Sequence, residues 1–180
     1  VVDRDEVTID HFKSWIEWGK ENKTPLDFNS TSFSHPKSGS LSLSNPDEGI
    51  RKFWVEHGKR CREIGNEFAK QLGQPCAINY WMPDGYKDEP SDRLGPRLRM
   101  AESLDKIFKT SYDKKAVIPF LESKLFGIGV ESYTVASHEF VMGYAMKRGI
   151  LALLDMGHFH LSESPPLTAD YRHKYLLPLL

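Results

Sequence analysis

An α/β fold with a parallel sheet is predicted by three features of this sequence. Short strand-like segments recur through the chain at Leu26–Asn29, Pro75–Trp81, Ala116–Leu121 and Ile150–Leu154, the last two as apolar runs. Segments of helical periodicity separate them, and loops rich in Ser, Gly, Pro and Asp follow them. Alternation of this kind builds strand–helix–strand units, whose strands run parallel and bring their C-terminal ends to one edge of the sheet. α/β folds place their chemistry at that edge.

The elements follow from local pattern. Asp10 to Asn22 reads as an amphipathic helix, with Phe12, Trp15, Ile16 and Gly19 on the apolar side and Thr8 or Asp10 as the cap. Its aromatics are expected in the core. Thr24-Pro25 ends it, and Leu26–Asn29 opens a strand that runs into a Ser/Gly/Pro-rich loop over Lys37–Pro46. Asn45-Pro46-Asp47-Glu48 is a helix start with Asn45 as cap, and the stripe Ile50, Phe53, Trp54, His57, Cys61, Ile64, Phe68, Leu72 runs to a stop at Gly73. His57 lies on the apolar side and reads as a packed, hydrogen-bonded histidine. The strand Pro75–Trp81 empties into a Pro-Asp-Gly turn. Ser91 to Thr110 is the next helix, with Leu94, Leu98, Ala101, Leu104 and Phe108 as its expected core stripe, and with Arg93, Arg97 and Arg99 paired to carboxylates or solvated. Glu139 to Arg148 is the last, closed by Gly149.

Composition narrows the function. The chain has 180 residues, a formal net charge of −1, 39% hydrophobic and 27% charged residues. No basic excess supplies the attraction that nucleic acid or an anionic membrane needs. The apolar stretches are too short to span a bilayer and the first residues carry no signal-peptide pattern, so a cytoplasmic protein is expected. Cys61 and Cys76 are the only cysteines, and they read as small packing residues in a reducing compartment.

The chemistry lies between Ala116 and His160. One apolar run opens onto Glu122-Ser-Lys124 and the other onto Asp155-Met-Gly-His158-Phe-His160. A carboxylate from each of two neighbouring parallel strands, with an imidazole three residues after the second, offers hard oxygen and nitrogen ligands to Mn²⁺, Mg²⁺ or Zn²⁺. Lys124, two residues after Glu122, points the same way on an extended strand and would stabilise negative charge on a bound oxygen. The plainer reading of the same residues is a set of solvated loop ends, and no compact ligand motif such as HExxH decides between them. Trp81 reads equally as an apolar wall of a sugar pocket or as a rim core residue. Asn29 and His35 are candidate substrate contacts, and His35 before Pro36 is also an ordinary turn residue.

A resemblance adds to these readings. ESKLFGIGVESYTVASHEFVMGYAMKRG with LLDMGHFH, and LDFNSTSFSHPKSGSLSLSNPDEGIRKFW before it, are very similar to segments of L-rhamnose isomerases, metal-dependent aldose–ketose isomerases with a (β/α)₈ barrel of the xylose-isomerase-like type. The resemblance implies that Glu122 and Asp155 bind one divalent ion, Mn²⁺ foremost with Zn²⁺, Co²⁺ or Mg²⁺ as alternatives. It further implies that His158 binds a second ion, that Lys124 contacts the sugar and polarises its O1, and that the whole protein is a homo-oligomer acting on L-rhamnose.

Length sets the boundary of that expectation. A barrel of this kind takes about 250 residues, so residues 1–160 are expected to form a partial TIM-barrel domain of about four strand–helix units. Residues 161–180, LSESPPLTADYRHKYLLPLL, are expected to be a divergent tail, since the similarity stops at His160. Ligands expected after that point are absent, so an inactive or partner-dependent half-barrel is the alternative to a working isomerase.

Overall fold

The computed structural model describes residues 2–124, 132–155 and 157. Strands β1 (Phe28–Thr31), β2 (Cys76–Trp81), β4 (Val117–Glu122) and β6 (Leu151–Leu153) form one sheet in the order β1-β2-β4-β6, every neighbouring pair parallel. Helices α2 (Glu48–Leu72), α3 (Gly95–Phe108) and α4 (His138–Arg148) make the successive crossovers, and α1 (Lys13–Asn22) precedes the sheet. The expected alternation is thus present as an α/β parallel sheet. Two further strands, β3 (Gly85–Tyr86) and β5 (Tyr133–Thr134), pair antiparallel. Two-residue strands carry no readable periodicity, so the sequence analysis had no signal for them.

Strand pairing divides the sheet into two faces. Ser30, Ile78, Tyr80 and Leu121 lie on the face covered by helices and are at most 2% exposed. The opposite face carries Asn29, Asn79, Trp81, Phe120 and Glu122, brought side by side by the registers Asn29↔Asn79, Asn79↔Phe120 and Trp81↔Glu122. Asn29 is exposed there. One side of the sheet is therefore a helix-packed core and the other a mixed surface of polar and aromatic residues, because alternate residues of a strand face opposite ways.

Helix α2 is the main cover. Asp47 caps it by accepting from the amides of Gly49 and Ile50, while Asn45 Oδ1 accepts from the Asp47 amide, so the cap stands two residues after the expected one. Its glycines permit close packing. A Cβ on Gly65 would stand 2.5 Å from Ile78 Cδ1, and one on Gly58 would stand 2.6 Å from Ile107 Cδ1. Gly73 and Gly149 take left-handed conformations, φ 65° and 62°, and close α2 and α4 as their positions predicted. Cys61 and Cys76 are buried free thiols, in agreement with a packing role, and burial pushes both up to about 12.

His57 is a packed histidine. Its Nδ1–H donates to the Arg4 carbonyl at 3.1 Å, and burial holds its pKa below the ordinary 6.5. The folded state then binds fewer protons here than the unfolded state. The stability His57 contributes is complete above 6.5 and is lost as pH falls through that value toward the folded pKa. His57→Gln should accordingly flatten the decline in urea midpoint between about pH 7 and pH 5. An unchanged slope would show that the buried imidazole does not control this window.

Expectations for two helices need correction. Helix α3 begins at Gly95 rather than Ser91, because Asp92 Oδ1 accepts from the amides of Leu94 and Gly95 in a turn before it. Its buried residues are Pro96, Met100, Ser103, Leu104 and Ile107, while Leu94 and Leu98 are 64% and 60% exposed. On α1, Ile16 and Gly19 are buried and Phe12 packs against Phe28 and Phe68, but Trp15 is 58% exposed. The arginines do more than solvate: Arg93 pairs with Glu89, Arg97 donates to Ser137 Oγ, and Arg99 donates to the Ser44 carbonyl.

Candidate active site

The site is built at the C-terminal edge of the sheet. Glu122 closes β4, stands level with Trp81 on β2 and Leu153 on β6, and is 8% exposed. Asp155 lies two residues past the end of β6, exposed, with its Oδ1 accepting from the Gly157 amide at 2.8 Å. The neighbouring parallel strands thus bring the two carboxylate positions to one edge. The expected ligand His158 lies outside the described residues.

Lys124 is 2% exposed, which is unusual for a lysine. Its Nζ stands 5.7 Å from the centre of the Trp81 ring and 3.4 Å from the Pro83 carbonyl, to which it donates. Its backbone amide donates to the Ala136 carbonyl, fastening the segment after β4 to that before α4. The ammonium and the Glu122 carboxylate are therefore presented at one strand end beside an aromatic ring. Phe33 also meets the Trp81 ring, its own ring 5.0 Å away and nearly perpendicular.

Behind these groups the loop Lys37–Pro46 is pinned by one carboxylate. Asp84, 1% exposed, accepts from the amides of Ser42 and Ser44 at 2.8 and 2.9 Å and from their hydroxyls at 2.5 and 2.6 Å. Burial pushes its carboxyl above the usual carboxylate range, against the lowering effect of those four donors. Ser40 O accepts from the Gly85 amide and Asp84 O from the Val135 amide, so the turn after β2 joins this loop to β5. The turn is a junction, and Lys124 rests on it through Pro83.

The remaining candidates are placed differently. Asn29 is exposed on β1, on the same face as Glu122. His35 sits in the following turn, its Nε2 2.9 Å from Asp3 Oδ1, its Nδ1 accepting from the Lys37 amide, and its ring stacked on Phe53 at 4.9 Å. Its ring is engaged with the N-terminal segment and α2. Two residues were missed by sequence reasoning. Asn79 donates through Nδ2 to Glu122 Oε2, and its own Oδ1 is buried with no hydrogen-bond partner among the described residues. Its place two residues before Trp81 on a strand could have revealed it, whereas nothing in the sequence marks Phe33.

Oxygen donors at two adjacent strand ends suit a divalent cation. Among the described residues, no three His, Cys, Asp or Glu side chains gather in one group. Any complete ligand set draws on residues outside those described. Among the described residues, no helix is long and apolar enough to cross a membrane.

Comparison with known proteins gives the lineage. The family model for L-rhamnose isomerase (RhaA) matches residues 1–167, so the similarity continues past His160, where the sequence alone suggested that it stops. The L-rhamnose isomerase of Bacteroides thetaiotaomicron is 58% identical over 164 residues, which cover 91% of this chain and 39% of the relative. That of Rhodopirellula baltica is 51% identical over 164 residues, 91% of this chain and 38% of the relative. The chain thus spans about two-fifths of the length of these relatives. In three dimensions the apo 3-keto-D-glucoside 4-epimerase of E. coli shares the fold with a TM-score of 0.60 at 12% identity, covering 93% of this chain and 62% of that one. It has a xylose-isomerase-like fold. With a family match over nearly its whole length and identities above half, the chain belongs to the L-rhamnose isomerase family.

Proposed function

We propose that the whole protein is a metal-dependent aldose–ketose isomerase that converts L-rhamnose to L-rhamnulose, and that the parallel sheet described here is part of its (β/α)₈ barrel. The observation that carries this reading is the pairing of β4 with β6, which sets Glu122 and Asp155 at adjacent strand ends with Lys124 beside them. Such an edge is where barrels of this class keep their chemistry.

In this reading Glu122 and Asp155 hold one divalent ion, Mn²⁺ before Zn²⁺, Co²⁺ or Mg²⁺, and His158 belongs to the ligands of a second. A divalent ion there supplies Lewis-acid polarisation of sugar oxygens. The Lys124 ammonium sits over the sugar's O1 and stabilises the negative charge that grows on it as hydrogen moves between C1 and C2. Trp81 offers its ring face to the C–H surface of the sugar, and Asn29 meets its hydroxyls, while His35, whose two ring nitrogens are engaged by Asp3 and the Lys37 amide, serves the turn instead. Burial of Lys124 strengthens its field, since fewer waters screen it. The protein works in the cytoplasm as a homo-oligomer, with a sugar rather than nucleic acid or membrane as its partner.

The test is ketose formation by the whole protein from L-rhamnose, set against other aldoses. Chelation should abolish it and added Mn²⁺ should restore it. Turnover that survives exhaustive chelation, or a clear preference for another sugar, would displace this reading. One observation favours a second possibility for the 180-residue chain by itself. Its mixed face carries exposed Asn29 and Leu151 at the two outer strands, a surface that a barrel would enclose. A half-barrel that needs a partner chain would be inactive alone and gain activity only on mixing with the rest of the fold.

A further inference from the structure

We propose that Asn79 is a positioning residue for the active site: its amide group orients the Glu122 carboxylate for cation binding. The inference rests on the metal-dependent reading of the site and adds a residue to it. Register places Asn79 on the same face as Glu122, one strand away and two residues nearer the sheet's middle, so its side chain approaches the carboxylate diagonally from below. Nδ2 donates to Glu122 Oε2. The carboxylate is 8% exposed at a strand end, and a donor from the adjacent strand limits its rotation without adding charge.

The residue type matters. An aspartate at this position would set a second acceptor against Glu122 Oε2 and repel it, and a leucine would leave that oxygen without the donor. The assignment of the amide follows from its surroundings, because Glu122 requires the nitrogen side. That assignment leaves Oδ1 buried with no hydrogen-bond partner among the described residues. The donor serves Glu122, and the acceptor lies at the wall of the site, where a water or a bound ligand would satisfy it.

The experiment measures Mn²⁺ affinity from the free-ion electron paramagnetic resonance signal, on the whole protein and on its Asn79→Leu, Asn79→Ala and Glu122→Gln variants, together with the thermal midpoint of each metal-free form. Both Asn79 variants should weaken Mn²⁺ binding by about tenfold while the metal-free midpoint stays close to that of the wild type. Glu122→Gln should weaken binding further. If Glu122→Gln weakens binding and neither Asn79 variant does, the role of Asn79 is overturned and the metal reading stands. If Glu122→Gln leaves binding unchanged, the metal reading fails and takes this proposal with it. Loss of the folded state in both Asn79 variants would make the residue structural and also overturn the proposal.

Discussion

Replacing Lys124 by Met should lower the turnover of the whole protein on L-rhamnose by roughly 10²- to 10³-fold, the usual loss when one charge-stabilising group is removed from a transition state. Methionine keeps the length and apolar stem of lysine and deletes the ammonium. Lys124 is 2% exposed, and the Pro83 carbonyl loses its donor when the ammonium is deleted, so some loss of stability accompanies the change. The expected signature is a loss in kcat by a protein that still unfolds cooperatively, at a lowered melting temperature. Lys124→Arg should not restore the rate, because the planar, branched guanidinium does not fit where a slim ammonium lies 5.7 Å from the Trp81 ring centre. Turnover within about threefold of wild type in Lys124→Met would remove the residue from the chemistry.

Asp84→Ala should cost roughly 3–5 kcal/mol of stability, the range for breaking a buried charged hydrogen-bond network by removing one partner. Two backbone amides and two hydroxyls, those of Ser42 and Ser44, lose their acceptor together. Both serines are at most 1% exposed, so water cannot replace the carboxylate without opening the loop. Asp84→Asn should recover only part of the loss, because its NH₂ group would confront the donors of that cluster. Urea unfolding of these variants against Asp88→Ala provides the measurement, since Asp88 is exposed a few residues along the same loop and should change stability by no more than about 0.5 kcal/mol. A loss below about 1 kcal/mol for Asp84→Ala would mean that the loop is held by its buried Leu41 and Leu43 instead. The same variant should disturb catalysis, as the turn that Asp84 anchors carries the Pro83 carbonyl on which Lys124 rests.

Much of the fold was legible in residue order because its signals are local. Apolar runs of strand length, the helix stop glycines Gly73 and Gly149, and the turn-rich loops all act within a few residues. The α/β alternation and the parallel pairing of β4 with β6 followed from them, since a crossover helix leaves the chain little other choice. Boundaries were less secure where a side chain competes for backbone amides. Asp92 did so before α3, and the core stripe moved from Leu94 and Leu98 to Met100 and Ile107.

The site divides in the same way. Glu122, Lys124 and Asp155 could be named from the sequence because each follows a strand, and strand ends converge by topology alone. Tertiary structure alone decided what surrounds them. That Asn79 reaches Glu122 depends on register between strands 43 residues apart, and that Asp84 gathers Ser42 and Ser44 depends on a loop folding back from 40 or more residues away. Sequence periodicity reports which way a side chain faces on its own element. Which partner it meets there is set by the packing of distant segments, and no local pattern carries that information.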